Sequence, residues 1–142
     1  MPPWYPDFLD AVVAVIPTER PRNEWLLVNW SIGQEILRWQ SRDGWANHVL
    51  DQLSIDLKTR FPTDRSLSPR NLREMRDFAE AWPYEAYARG PLSQLPWHHH
   101  LLLLHRLDDL NVRLWYARRA VEDTWTRATL LENLTTNLHR QK

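Results

Sequence analysis

The apolar positions of this chain recur at steps of three and four along nearly its whole length, which is the period of one face of an α-helix. From Trp25 they fall at Trp25, Val28, Ile32, Ile36 and Trp39, and a second stripe of Leu26, Trp30, Gly33 and Leu37 lies about 100° around the same cylinder. Such a helix is predicted to be buried on two sides, with Gly33 admitting a close helical neighbour. Asp43 and Gly44 then give a turn. A further helix is predicted from Trp45 to Arg60, with Val49, Leu50, Leu53, Leu57 and then Phe61 on one face and Pro62 closing it. A shorter one, Asp7 to Ile16, precedes both. It ends at Pro17, and the prolines at 17 and 21 make Pro17 to Asn23 a rigid connector from which the next helix opens near Asn23.

The clearest local signal is at Ser68. A serine there can cap a helix, Pro69 suits the first helical position where its missing N–H costs nothing, and a periodic run follows. Leu72, Met75, Phe78, Ala79 and Trp82 share one face before Pro83 ends the helix. The proline-rich section Pro83 to Pro96 reads as loop with one helical turn around Glu85 to Arg89. From Trp97 to Lys142 there is neither proline nor glycine, and the pattern predicts a short helix, a break at Leu107-Asp108-Asp109 with an aspartate cap, and one long helix. Leu107, Leu110, Leu114, Ala117, Val121, Thr124, Ala128, Leu131 and Leu138 keep a heptad rhythm in it, the seam of a bundle. Strand-like alternation is nearly absent. The fold class expected is all-α: a compact bundle of about five to six helices, with a helix-turn-helix-like element and a long C-terminal helix.

Composition narrows the function classes. With 142 residues, 43% of them hydrophobic, the chain suits a single core. It has no cysteine, which removes disulfides, thiolate metal sites and a cysteine nucleophile, and fits a reducing compartment. The N-terminus has no basic region, and its apolar run is interrupted by Asp7, Asp10 and Pro17, so neither a signal peptide nor a membrane span is expected; the predicted location is the cytoplasm, with no membrane partner. Nine tryptophans point to a core built of large rings, with some at an interface.

Three contiguous histidines, His98 to His100, and His105 invite a metal, but contiguous helical residues diverge and no pair among the four has the i,i+3 or i,i+4 spacing a helical site needs. One buried, hydrogen-bonded histidine beside two hydrated ones is expected instead. The adjacent carboxylates Asp108/Asp109 and Glu122/Asp123 also diverge and read as caps or solvated face. No nucleophile elbow, phosphate loop or zinc-protease motif occurs. No catalytic residue, metal or cofactor is predicted.

Charge is the remaining lead. Eighteen basic and eighteen acidic residues cancel, so a nucleic-acid partner has to rest on a local patch. One exists: Lys58, Arg60, Arg65, Arg70, Arg73 and Arg76 face only Asp64 and Glu74 in the same stretch. It spans the loop and the start of the Ser68-capped helix, whose free N–H groups also suit phosphate. Against this, Glu74, Asp77 and Glu80 share the exposed face and could neutralise the arginines along the helix. Asn71 lies toward the buried side, in a packing role.

Taken together, NWSIGQEI (29–36), GWANHVLDQLSIDLKTRFP (44–62), LSPRNLREMRDFAEAWP (67–83), QLPWHHHLLLLHRL (94–107) and RLWYARRAVEDTWTRATLLENL (113–134) resemble the N-terminal domain of YhcG-like nucleases of the PD-(D/E)XK superfamily, in order and over Trp25 to Gln141. The resemblance implies a helical domain over 23–142, behind a short helix and connector over 1–22, that binds DNA and is followed in the family by a separate nuclease domain. The carboxylates and lysine of that nuclease site are not in this chain, so no nuclease activity is expected from it. The expected function is a non-catalytic DNA-binding or targeting domain. Arg65, Arg70, Arg73 and Arg76 would meet phosphates, with Lys58 and Arg60 at the edge, while Ser68 caps the helix and Asn71 holds its approach. A nuclease domain or partner protein would act beside it. The alternative is a protein-interaction or homodimerisation module working through the C-terminal helix and its Trp115 and Trp125.

Overall fold

A computed structural model describes residues 1–17, 24–83 and 85–140. Among the described residues the chain is all-α, with seven α-helices and no strand. These are α1 (Tyr5–Ala14), α2 (Trp25–Trp39), α3 (Asn47–Arg60), α4 (Pro69–Ala81), α5 (Trp97–Arg106), α6 (Leu110–Glu122) and α7 (Arg127–Thr135). The chain divides into two units, one of Met1–Pro21 and Val28–Glu80, the other of Arg22–Leu27 and Ala81–Lys142. Apart from Pro17, the connector expected over Pro17 to Asn23 lies outside the described residues, as does the opening of the second helix near Asn23.

In the first unit α1 packs on α3. Tyr5, Phe8 and Val12, three and four residues apart, are its buried face. The helix starts two residues earlier than its apolar pattern suggests because Pro6 occupies a first-turn position, and it stops at Ala14 because Val15 and Ile16 turn back to Val12 and Val13. The Tyr5 hydroxyl donates to Asp56 Oδ2 of α3 at 2.5 Å, and burial together with that carboxylate pushes its pKa up. In α2, Val28, Ile32 and Ile36 are buried, and Gly33 on the second stripe is buried too. α3 buries Val49, Leu50, Leu53 and Leu57. Phe61 leaves this face: it is the C-cap and only half-buried, since its backbone, at φ −126° and ψ 68°, has left the helical conformation. α4 buries Leu72, Met75, Phe78 and Ala79 as its periodicity predicts.

The second unit departs further from the sequence pattern. Pro83 to Pro96 is more ordered than a loop, holding 3₁₀ helices over Glu85–Ala88 and Gly90–Gln94 that bury Ala88, Leu92 and Leu95. The single long C-terminal helix is in fact α6 and α7. They are separated at Asp123–Thr126 by a left-handed residue, Thr124 at φ 52°, whose N–H bonds Val121 O while Trp125 N–H bonds Ala120 O. That is the Schellman way of closing a helix, and Thr126 caps the next one by accepting from Thr129 N–H at 3.1 Å. Cap chemistry outweighs the heptad rhythm: of its nine positions Ala117 alone is buried, and the buried residues are Arg113, Tyr116, Ala117 and Ala120 of α6 with Leu130 and Leu134 of α7.

Two further expectations need correction. His99 and His100 are both buried and His98 alone is exposed, because α5 turns two adjacent positions inward, each finding a carbonyl: His99 Nε2 to Trp125 O at 2.8 Å and His100 Nε2 to Leu92 O at 3.0 Å. The tryptophans are not the core. Trp82 is buried, whereas the other eight are half-buried, with Trp4, Trp39 and Trp45 packed around the fully buried Phe8. Trp4 lies parallel to Trp45 with centroids 6.0 Å apart, and Arg42 stacks 4.1 Å above Trp39.

Candidate nucleic-acid interface

The six basic side chains and Ser68 all lie on the α3–loop–α4 segment of the first unit. Lys58 and Arg60 end α3, Arg65 sits in the connection, and Arg70, Arg73 and Arg76 follow on α4. The connection, Phe61–Ser68, is eight residues long, where a standard helix-turn-helix uses about three to four. A loop of that length can carry a charge steadily only if something holds it.

It is held by a chain of hydrogen bonds. Ser54 of α3, buried on the apolar face, donates to Leu67 O at 2.6 Å, and Leu67 is itself fully buried. Asp64 Oδ1 accepts from Ser66 N–H at 2.8 Å and from Ser66 Oγ at 2.6 Å, an Asx turn. Ser66 O in turn accepts from Asn71 Nδ2 at 2.6 Å. Ser68 is the helix cap, its Oγ accepting from Asn71 N–H at 3.1 Å and its carbonyl from Leu72 N–H at 2.9 Å. Arg65 and Arg70 thus project from backbone fixed on both sides.

Ser68 caps α4 as its motif predicts and Asn71 packs against the connection through Ser66 O, whereas the periodicity and charge pattern do not single out Ser54 and Asp64 as positioning residues. Asp64-Arg65-Ser66 carried an Asx-turn signal, and a serine amid Val49, Leu50, Leu53 and Leu57 was a polar anomaly that called for a partner.

The cations fall into two sets. Arg73 meets Asp51 of α3 at 3.5 Å, and Arg76, its side chain 28% exposed, meets Asp77 at 3.2 Å. Lys58, Arg60, Arg65 and Arg70 are exposed, and none has a carboxylate within 4.0 Å among the described residues. Of Glu74, Asp77 and Glu80, Asp77 neutralises Arg76 as the pattern allows, but none of the three comes within 4.0 Å of Arg70. Such surface pairs are weak, typically under about 1 kcal/mol, but they occupy the guanidinium fork. Arg60 and Arg65 also border one groove of about 560 Å³, which Ile16, Pro17, Phe61, Pro62, Thr63 and Asp64 complete among the described residues. Lys58, Ser68, Arg70, Arg73 and Arg76 are outside its lining.

Among the described residues no group of three or more histidines, aspartates or glutamates is placed to hold a metal, and no helix is long and apolar enough to cross a membrane.

An all-helical domain with a capped, arginine-bearing helix is the class this architecture defines. The chain belongs to the DUF1016 family: the model of the DUF1016 N-terminal domain matches residues 20–141, and the N-terminal domains of YhcG-like nucleases belong to this same family. No curated protein and no solved structure gives a significant match.

Proposed function

We propose that this chain is a non-catalytic DNA-binding or targeting domain of a bacterial, cytoplasmic nuclease system, with α3–loop–α4 as a helix-turn-helix-like reading element. The observation that supports this reading best is the set of exposed cations, Lys58, Arg60, Arg65 and Arg70, with no carboxylate in reach among the described residues and a hydrogen-bonded scaffold beneath Arg65 and Arg70. Phosphates meet these four first; Arg73 and Arg76 contribute after giving up Asp51 and Asp77. Ser68 orders the start of α4, whose N–H groups add a fixed positive dipole. No residue is assigned to bond breaking, and the nuclease chemistry belongs to a further domain or partner protein.

The test is fluorescence anisotropy of labelled duplex DNA across a salt series. Binding should fall steeply with salt, and Arg65→Ala with Arg70→Ala should flatten the logarithmic slope by about two, since each phosphate contact contributes about 0.9. A double variant that binds like the parent rules out this surface.

A second reading, a protein-interaction or dimerisation module, has one observation in its favour. Two grooves of about 310 Å³ share Leu114 and Arg118 on α6, and Leu110, Leu114 and Val121 stay half-exposed there. Sedimentation showing a concentration-dependent dimer that Leu114→Asp abolishes would favour that reading.

A further inference from the structure

The groove beside the α3–α4 connection has a composition that phosphate binding alone does not explain. Its cationic members, Arg60 and Arg65, are exposed and without a carboxylate in reach among the described residues. The same groove is lined by an aromatic ring and apolar surfaces, Phe61, Pro62, Pro17 and the buried Ile16. Duplex DNA offers a protein its phosphates, its sugars and the edges of stacked bases, but keeps the faces of the bases out of reach of a ring. An unpaired nucleotide does not: its phosphate meets the cations while its base, exposed on both faces, lies on the aromatic and apolar wall. At about 560 Å³ the groove is within the size range of sites that enclose small organic ligands, which runs from roughly 300 to 1,000 Å³.

The remaining members fit the same occupant. Asp64 is the one acid on the lining among the described residues, and its Oδ1 accepts from Ser66 N–H and Oγ, so part of its charge is spent on the turn. Phe61 is fixed at the backbone from both sides, its N–H donating to Leu57 O at 2.7 Å and its carbonyl accepting from Asp64 N–H at 3.1 Å, yet its side chain is only half-buried and lines the groove. Leu57, one turn earlier, is fully buried, whereas the Phe61 ring lies on the groove, where it can serve as a platform.

We infer that this groove binds an unpaired nucleotide of DNA, so that the domain prefers DNA with a single-stranded tail over a blunt duplex. The inference rests on the DNA-binding reading above and adds the form of DNA recognised. Phe61 is the stacking residue, and Arg60 and Arg65 hold the phosphate of the same nucleotide.

The test compares a labelled blunt duplex, the same duplex with an oligothymidylate tail, and the oligothymidylate alone, against the parent, Phe61→Leu and Phe61→Tyr. Base–aromatic stacking predicts that the parent binds the tailed duplex about tenfold more tightly than the blunt one; Phe61→Leu loses that margin with blunt-duplex affinity unchanged, and Phe61→Tyr keeps it. Equal binding of blunt and tailed duplex by the parent overturns the inference without needing any variant, and leaves the DNA reading in place. A margin that Phe61→Leu retains, in a protein whose melting curve matches the parent, also overturns it. Binding to none of the three DNAs at low salt removes the DNA reading and this inference with it.

Discussion

Gly33 of α2 and Met75 of α4 meet backbone to backbone: a Cβ placed on Gly33 would stand 2.1 Å from the Met75 carbonyl oxygen and 2.7 Å from Ala79 Cβ. Gln34 reinforces the approach by donating from Nε2 to Ala79 O at 3.3 Å. A flexible side chain could move aside, but a carbonyl inside a helix cannot without giving up its own hydrogen bond. Gly33→Ala should therefore destabilise the protein by about 3 kcal/mol, at the upper end of ordinary overpacking, and lower the thermal midpoint by many degrees. A melt of the variant within a degree or two of the parent would show that the helices can separate freely.

Asp51 on α3 and Arg73 on α4 form a weak pair across the element proposed to meet DNA, with both side chains about half exposed at 56% and 41%. Screening by water makes the pair nearly worthless to stability, yet it competes with phosphate for the same guanidinium. Asp51→Asn should leave the melting temperature unchanged within about a degree, strengthen DNA binding a few-fold because Arg73 no longer gives up a carboxylate to meet its phosphate, and leave the salt slope close to that of the parent. Anisotropy titrations at several salt concentrations, set beside a melting curve, check all three.

How far the sequence could be read depended on whether local rules and packing agreed. The Ser68 cap, the apolar face of α4 and the close approach at Gly33 each follow from a short motif whose requirement is local, and each is present in the structure. The positions of the basic residues were likewise legible, but not which were free: Arg73 pairs with Asp51, 22 residues away in sequence and on another helix. The C-terminal half misled because a heptad rhythm survives a break at Asp123–Thr126 that only cap geometry reveals, and threonine is an unusual residue in the left-handed position that glycine ordinarily takes. The two inward histidines were hidden for a related reason. Adjacent positions on a helix face apart, so both are buried only because separate carbonyls, Trp125 O and Leu92 O, reach them.

That left-handed Thr124 gives a stabilising substitution. Its φ of 52° closes α6, but a β-branched residue pays for that conformation with steric strain that glycine does not have. Thr124 is exposed, so its side chain contributes little packing to lose. Thr124→Gly should raise stability by about 1 kcal/mol, the strain relieved less the extra freedom glycine has when unfolded. Denaturant titration of the pair measures this, and a lowered midpoint would mean that the threonine is not strained.

Arg113 is 4% exposed and spends its charge on backbone: Nη1 donates to Ala81 O at 2.7 Å and Nη2 to Leu107 O at 3.1 Å, with the guanidinium 5.4 Å over the Trp82 ring. The two carbonyls belong to the ends of α4 and α5, where a positive charge complements the helix dipoles. Burial lowers the pKa of the group, while Asp108 and Asp109 oppose that shift. A lysine has one point charge and cannot serve both carbonyls at once. Arg113→Lys should cost roughly 2 kcal/mol, and Arg113→Met more, since it leaves both carbonyls without their donor. Equal stability of parent and Arg113→Lys in urea would refute the fork.

His100 makes stability depend on pH. It is 1% exposed, and burial pushes its pKa down to about 4, with nearby His99 acting in the same direction and the bond to Leu92 O against it. Unfolded, the imidazole has its ordinary pKa of about 6.5, so between about 6.5 and 4 the unfolded chain binds a proton that the folded chain refuses. Stability from this group is complete above pH 6.5 and falls with pH through that window. The loss approaches about 3 kcal/mol near pH 4, at about 1.4 kcal/mol for each unit of difference. His100→Gln keeps a donor for Leu92 O and cannot titrate, so its stability should fall less than that of the parent between pH 7 and pH 4.5, whatever the carboxylates add in common. Urea unfolding of both proteins across that range gives the difference directly, and parallel curves would mean that His100 already carries its proton in the folded protein.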